Sequence, residues 1–159
     1  MPTIESMARH VPPECFYLRF GSFSNALWFQ EINKGKGDGL AQMLMRRGLD
    51  YQAHQRLEKM LNAKTTLLAN WFGDSLISDM ALIGYDLFLQ EGPAVGVLFE
   101  SPQPELLRRA LDADRESTRR KFAAQGMRLD RLTIGDAEVS WLSSPDQSVR
   151  SLLVQQGKY

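Results

Sequence analysis

The spacing of apolar residues changes near residue 76, and this change most constrains the fold. Residues 22–73 carry apolar side chains at helical spacings, interrupted by glycines and by residues that cap helices. Residues 80–99 and 129–154 instead hold short apolar runs between turn-forming residues, as β-strands do. The sequence therefore predicts an α+β fold, in which a helical block and one long helix pack on a mainly antiparallel sheet.

The strands are predicted from alternation and from turn residues. Phe16, Leu18 and Phe20 lie on one side of the first predicted strand, and Gly135-Asp136 predicts the turn of a hairpin. Three short runs between residues 80 and 99 predict an antiparallel meander. The predicted strand regions are residues 15–20, 80–83, 87–89, 95–99, 129–142 (a hairpin) and 149–154.

Within the helical block, Ser24 is the predicted N-cap of a helix that ends near residue 33. Further helices are predicted at residues 40–47 and 51–62, followed by a short one at 65–71. The flexible loop at residues 35–39 contains Gly-Lys, but it lacks the spacing of a phosphate-binding loop.

The longest predicted helix covers residues 102–126, with prolines at its start and a glycine at its end. Its apolar stripe consists of Leu107, Leu111, Thr118 and Phe122. The opposite side is predicted to be solvated, with ion pairs at helical spacing. These predicted pairs are Glu105–Arg109, Asp112–Arg115 and Glu116–Arg120.

Composition excludes several classes of protein. The 159 residues include 43% hydrophobic residues and equal numbers of acidic and basic residues, 19 of each, so the chain is neither disordered nor globally attracted to nucleic acid. Even the arginine-rich long helix is interleaved with acids, so we expect no nucleic-acid partner. With one cysteine, Cys15, an internal disulfide is impossible.

The sequence favours a single domain over residues 1–159. The segment Gly157-Lys158 after the last strand resembles a hairpin turn whose second strand is absent, so we expect a C-terminally truncated chain. A frayed last strand is the alternative. The N-terminal residues lack the apolar region of a signal peptide, and no apolar run is long enough to cross a membrane. A cytoplasmic location is therefore the default for this segment.

Two kinds of residue are candidates for a functional site. Asp79 and Asp86, with Glu91 nearby, flank the apolar runs of the predicted meander, where carboxylates act as acids, bases or cation ligands. Their commoner role at such positions is hydrogen bonding within turns. Trp28 and Trp71 are candidates to line a ligand groove, although packing in the core is commoner. His10 and His54 are isolated, so no metal and no cofactor is predicted.

One series of short segments is shared in order with a group of known proteins. It consists of Val11-Pro12-Pro13-Glu14, residues 16–22, Leu27-Trp28, residues 81–88, Ser144-Pro145-Asp146 and Val149-Arg150-Ser151. This order resembles large bacterial proteins of unknown function, whose domains often open with a Leu/Val-Pro element, an aliphatic strand and a helix that contains tryptophan. The resemblance implies a piece of a much longer protein, which would be exported or membrane-anchored rather than cytoplasmic. It implies no catalytic residues.

Because no catalytic constellation is present, the leading hypothesis is a non-catalytic structural or interaction module. Its expected partner is a protein or the remainder of its own longer chain. One alternative is a hydrolase that uses the acids near residues 79–91, and another is a small-ligand binder with a tryptophan-lined groove.

Overall fold

A computed structural model describes residues 4–34, 73–85 and 94–159 of the protein. These residues form an α+β fold with antiparallel strands, as predicted. Short 3-10 turns cover Met7–His10 and Ala123–Gln125. The other elements, in chain order, are β1 (Phe16–Arg19), α1 (Phe23–Lys34), the single turn α2 (Gly73–Leu76), β2 (Asp79–Gly84), β3 (Val95–Glu100), α3 (Pro104–Lys121), β4 (Arg128–Ile134), β5 (Ala137–Ser143) and β6 (Arg150–Val154).

The described strands form two sheets rather than the one that the sequence predicts. Sheet A has the order β1-β2-β3, and sheet B has the order β4-β5-β6. In the chain, α3 lies between β3, the last strand of sheet A, and β4, the first strand of sheet B. Within sheet A, β2 pairs directly with β3 along its whole length. The predicted strand at residues 87–89 lies outside the described residues.

Helix α1 begins at Phe23, whereas a cap at Ser24 would start the helix two residues later. The Ser22 hydroxyl accepts a hydrogen bond from the Asn25 backbone N–H at 3.0 Å, so Ser22 caps the helix. The prediction that Ser24 is the cap is therefore wrong, because Ser24 already lies in the first turn. The helices predicted at residues 40–47, 51–62 and 65–71 lie outside the described residues.

An apolar core joins the helices to sheet A. Phe23 of α1, Leu76 and Ile77 at the end of α2, and Leu107 of α3 are all buried together. The partly buried side chains that pack against them come from α1, sheet A and α3, namely Leu27, Met80, Phe99 and Leu111. This confirms that the predicted stripe of the long helix faces inward at Leu107 and Leu111.

Sheet B contains the predicted hairpin and the predicted last strand. Gly135 has a φ of 61° in the two-residue turn between β4 and β5, a conformation that favours glycine. Strand β6 pairs antiparallel with β5. Beyond β6, the Lys158 carbonyl accepts a hydrogen bond from the Ser101 N–H at 2.9 Å. The Tyr159 hydroxyl donates to Ser6 at 2.6 Å. The expected truncation of the chain stays a prediction.

Candidate functional site

Asp79, one of the predicted site residues, is buried at the start of β2 and carries an ion pair. Its carboxylate accepts hydrogen bonds from Arg19 Nε at 2.6 Å and from the Met80 N–H at 2.6 Å. Arg19 also pairs with Glu5, and the Tyr17 hydroxyl donates to the same Glu5 carboxylate. Tyr17, Arg19 and Asp79 lie on one face of sheet A, because their register positions have the same parity.

This cluster ties the N-terminal segment to sheet A. Burial and the hydrogen bond to Glu5 raise the pKa of Tyr17 well above its usual value. The hydrogen bond to Asp79 raises the pKa of Arg19 above its usual value. The arrangement is typical of a structural ion-pair cluster. The hypothesis that Asp79 acts as a catalytic acid stays a prediction.

The other predicted site residues do not meet Asp79 in the described part of the fold. Trp28 lies on α1 with 66% of its surface exposed, and no described contact places it beside Asp79. Trp71 and Asp86 lie outside the described residues, as does Glu91. The hypothesis of a groove lined by Trp28 and Trp71 therefore stays a prediction.

Arg115 of α3 is a buried residue whose role the sequence analysis missed. Only 4% of its surface is exposed, and its guanidinium crosses to the inner face of sheet B. Arg115 Nε and Nη1 donate to the hydroxyls of Ser140 and Ser151 at 3.1 and 2.7 Å. Arg115 Nη2 donates to the carbonyls of the same two serines at 2.9 and 2.8 Å. A single side chain thus joins α3 to both β5 and β6.

The predicted ion pair between Asp112 and Arg115 is wrong. Asp112 instead accepts from the partly buried Arg108 Nε at 2.9 Å, one turn earlier on α3. Burial lowers the pKa of Arg115 to about 10, because desolvation disfavours the charged guanidinium. That value is still far above neutrality, so Arg115 is a buried cation held by neutral acceptors. The predicted pair between Glu116 and Arg120 is confirmed at 3.0 Å.

The outer face of sheet B, opposite α3, carries exposed aliphatic side chains on its two edge strands, while Val139 on the middle strand is buried. We use "outer face" for the side that carries Leu132, Ile134, Leu152 and Val154, with Val139 and Trp141 on the middle strand. The four residues on β4 and β6 are 40%, 60%, 58% and 46% exposed, respectively. Cross-strand register places Leu132, Val139 and Val154 in one row, so the apolar side chains are neighbours across all three strands.

A cleft of about 560 Å³ opens at one end of the outer face. Arg128, Ser143 and Arg150 form one cross-strand row there, with an arginine on each side of the middle strand. Trp141 lies in the next row and contributes an aromatic wall. We call this site the arginine cleft; its lining residues are Gly126, Arg128, Trp141, Ser143, Ser144, Pro145, Gln147 and Arg150.

The loop between β5 and β6 forms the other wall of the arginine cleft. Ser144 fixes this loop, because its hydroxyl accepts the Val149 N–H at 3.0 Å and its carbonyl accepts the Gln147 N–H at 2.9 Å. Gly126 has a φ of 81°, and a Cβ there would lie only 2.7 Å from Pro145 Cγ. Only glycine fits this close approach of the end of α3 to the loop.

Arg128 and Arg150 carry the positive charge of the arginine cleft. Arg150 Nη1 donates to the neutral Gln147 side chain at 3.2 Å. Across residues 4–34, 73–85 and 94–159, neither Arg128 nor Arg150 makes an ion pair with a carboxylate. Two guanidinium groups beside an aromatic ring can bind an anionic group attached to an apolar one.

Sequence reasoning placed Trp141 in a hairpin but did not single it out as a site residue. Arg128 and Arg150 are 22 positions apart in the sequence, and only strand register brings them into one row. In the part of the chain that the structure describes, no three His, Cys, Asp or Glu side chains are grouped as metal ligands.

No helix of the described residues is both long enough and apolar enough to cross a membrane. Comparison with known proteins gives no match to a protein-family model, to a curated protein or to a solved structure. The function is therefore argued from the geometry of this chain alone.

Proposed function

We propose that this protein is a non-catalytic interaction module that binds a partner protein through the outer face of sheet B. The observation that carries the proposal is that four exposed aliphatic side chains lie on one sheet face, Leu132 and Ile134 on β4 and Leu152 and Val154 on β6, with Val139 and Trp141 between them. Single exposed apolar residues are normal on protein surfaces, but a contiguous group marks an interaction site.

The two faces of sheet B differ in exposure, and this difference supports the assignment. On the inner face, Ser140, Leu142 and Ser151 are buried beneath α3. The outer face has no comparable cover from described elements, as the exposure of its residues on β4 and β6 shows. Burying one such Leu or Ile against a partner contributes about 1.5–3 kcal/mol, so the face offers substantial binding free energy.

Charge complementarity defines the partner. The arginine cleft continues the outer face at one end and carries two guanidinium groups without acidic partners among the described residues. A partner segment with apolar side chains and an acidic end would satisfy both features. We therefore assign the outer face to a protein segment of that chemistry.

Selection from a random peptide display library on the immobilised protein tests the proposal. The selected peptides are titrated against the wild type, against the double variant Ile134→Asp/Leu152→Asp, and against Leu106→Asp. Leu106 is a matched control because it is also an exposed leucine, 44% accessible, but lies on α3. Melting temperatures of all variants are measured to confirm that each is folded.

The proposal predicts that selected peptides bind wild type and Leu106→Asp equally. Their affinity for the double variant should fall by about tenfold or more, since each aspartate replaces apolar contact with a desolvated charge. Peptides that bind the double variant as tightly as the wild type would contradict the proposal. Failure of the library to yield any binding peptide would contradict it too.

A further inference from the structure

We infer that the arginine cleft binds a carboxylate of the partner segment, held between Arg128 and Arg150. This inference rests on the proposed function, because it names the chemistry that one end of the same surface recognises. The partner segment would therefore carry an aspartate, a glutamate or a free C-terminus at the end that enters the arginine cleft.

Strand register creates the geometry. Arg128 and Arg150 are the cross-strand neighbours of Ser143 on either side, and adjacent strands are about 4.8 Å apart, so their Cα atoms are separated by roughly 10 Å. Two long side chains on that spacing can converge on a group between them. A carboxylate has two oxygens and can accept hydrogen bonds from both guanidinium groups.

Two acids lie near the arginine cleft. Asp130 follows Arg128 by two residues and lies on the same face, directly opposite Trp141. Asp146 lies in the loop that forms the other wall, where its carboxylate accepts from Ser144 and from the Ser148 N–H. Among the described residues, Arg128 and Arg150 make no ion pair with a carboxylate, so both guanidinium groups can donate to a ligand. The two oxygens of one carboxylate match these two donors.

The arginine cleft is continuous with the outer face of sheet B. This continuity determines the order of apolar and acidic residues that we expect in the partner segment. Trp141 is in register with Leu152, so the aromatic wall leads directly to the exposed aliphatic residues. A segment whose apolar side chains cover Leu152 and Val154 would bring its acidic end to Arg150. The selected motif should therefore place one acid at the end of an apolar run.

The experiment compares display selections on two proteins. The same random library is selected on the wild type and on Arg128→Gln/Arg150→Gln, with Arg109→Gln as the matched control. Arg109 is also an exposed arginine, but it lies on α3, which packs on the face of sheet B opposite the arginine cleft. Glutamine keeps hydrogen-bonding capacity and removes the charge. Melting temperatures confirm that the variants are folded, as expected for exposed positions.

The inference predicts peptides enriched in Asp or Glu on the wild type and on Arg109→Gln, but not on the double variant. Changing the peptide acid to its amide should weaken binding to the wild type by about tenfold, because charge-assisted hydrogen bonds are lost. The same change should leave binding to Arg128→Gln/Arg150→Gln unaltered. Binding to the wild type should also weaken as salt is raised.

The outcomes separate this inference from the proposed function. Peptides that depend on Ile134 and Leu152 but show no acid enrichment, and bind equally after loss of both arginines, would overturn the carboxylate assignment alone. Peptides indifferent to Ile134 and Leu152 would instead overturn the proposed function, and the inference with it.

Discussion

The two sheets of this protein have the same size and the same antiparallel connectivity, yet they are covered differently. In sheet A no residue of β2 or β3 is exposed, and Met80 and Phe99 pack against an apolar core. In sheet B the inner face meets α3 through the buried guanidinium of Arg115, while the outer face displays aliphatic side chains. Strands β2 and β3 are thus less exposed than β4 and β6 on the outer face of sheet B.

This difference separates two roles within one fold. The helices meet sheet A through apolar packing, and burial of apolar surface is the dominant favourable contribution to folding. At sheet B, directional hydrogen bonds from one arginine fix the orientation of the sheet on α3. Helix α3 thus contacts sheet B from one side, and the proposed partner surface lies on the other.

The largest effect on stability is expected from Phe23→Ala, which removes a side chain only 1% exposed from the core beside sheet A. The free energy of unfolding should fall by about 3–5 kcal/mol, because a cavity replaces the ring. Urea denaturation measures it, with Trp28→Ala on the same helix as the exposed control. If the free energy of unfolding fell no more for Phe23→Ala than for Trp28→Ala, the assignment of Phe23 to the core would be wrong.

A smaller effect is expected at the arginine contact. Replacing Arg115 with alanine leaves acceptors on Ser140 and Ser151 without donors, which should cost about 2–3 kcal/mol. Arg115→Met keeps the volume and removes the buried charge, so combining it with Ser140→Ala and Ser151→Ala should recover much of the loss. Urea denaturation of the single and combined variants checks this difference.

Arg109→Ala serves as the control for the arginine contact, since this arginine lies on the exposed side of the same helix. An equal loss for Arg109→Ala and Arg115→Ala would mean that the buried hydrogen bonds contribute nothing beyond helix propensity. That result would contradict the interpretation that hydrogen bonds from Arg115 hold sheet B, in contrast to the apolar packing at sheet A.

The ion pair on sheet A should contribute less again. Asp79→Asn removes the charge that faces Arg19, and the expected loss is about 1 kcal/mol, because Arg19 is nearly half exposed and solvent screens the pair. Asp130→Asn, at an exposed position, should leave stability unchanged. Thermal unfolding of both variants tests this prediction. Equal stability of the two would show that the Asp79 carboxylate is not held by this contact.

Local patterns in the sequence were enough to predict much of the fold. Alternation on both sides of Gly135-Asp136 identified β4 and β5, and the prolines and glycine around α3 identified the long helix. The division into two sheets was not predictable in this way, because pairing of β1 with β2 depends on residues more than 60 positions apart. Local periodicity in the sequence does not indicate which strands pair over such distances.

The sites were harder to predict than the elements. The stripe from Leu111 to Thr118 passes through position 115, so the spacing did contain a signal that Arg115 faces inward. An arginine is normally assigned to solvent, however, and its acceptors Ser140 and Ser151 are 25 and 36 residues away. The arginine cleft was missed for the same reason, since Arg128 and Arg150 meet only through register.

The most direct test of the contrast between the sheets is the unfolding free energy of Ile134→Asp/Leu152→Asp, measured by urea denaturation beside Phe23→Ala. The exposed outer face predicts a change within about 0.5 kcal/mol, because surface substitutions away from packed features have little effect on stability. A loss of several kcal/mol, similar to that of Phe23→Ala, would show that the outer face is packed within the fold and is not a surface for a partner.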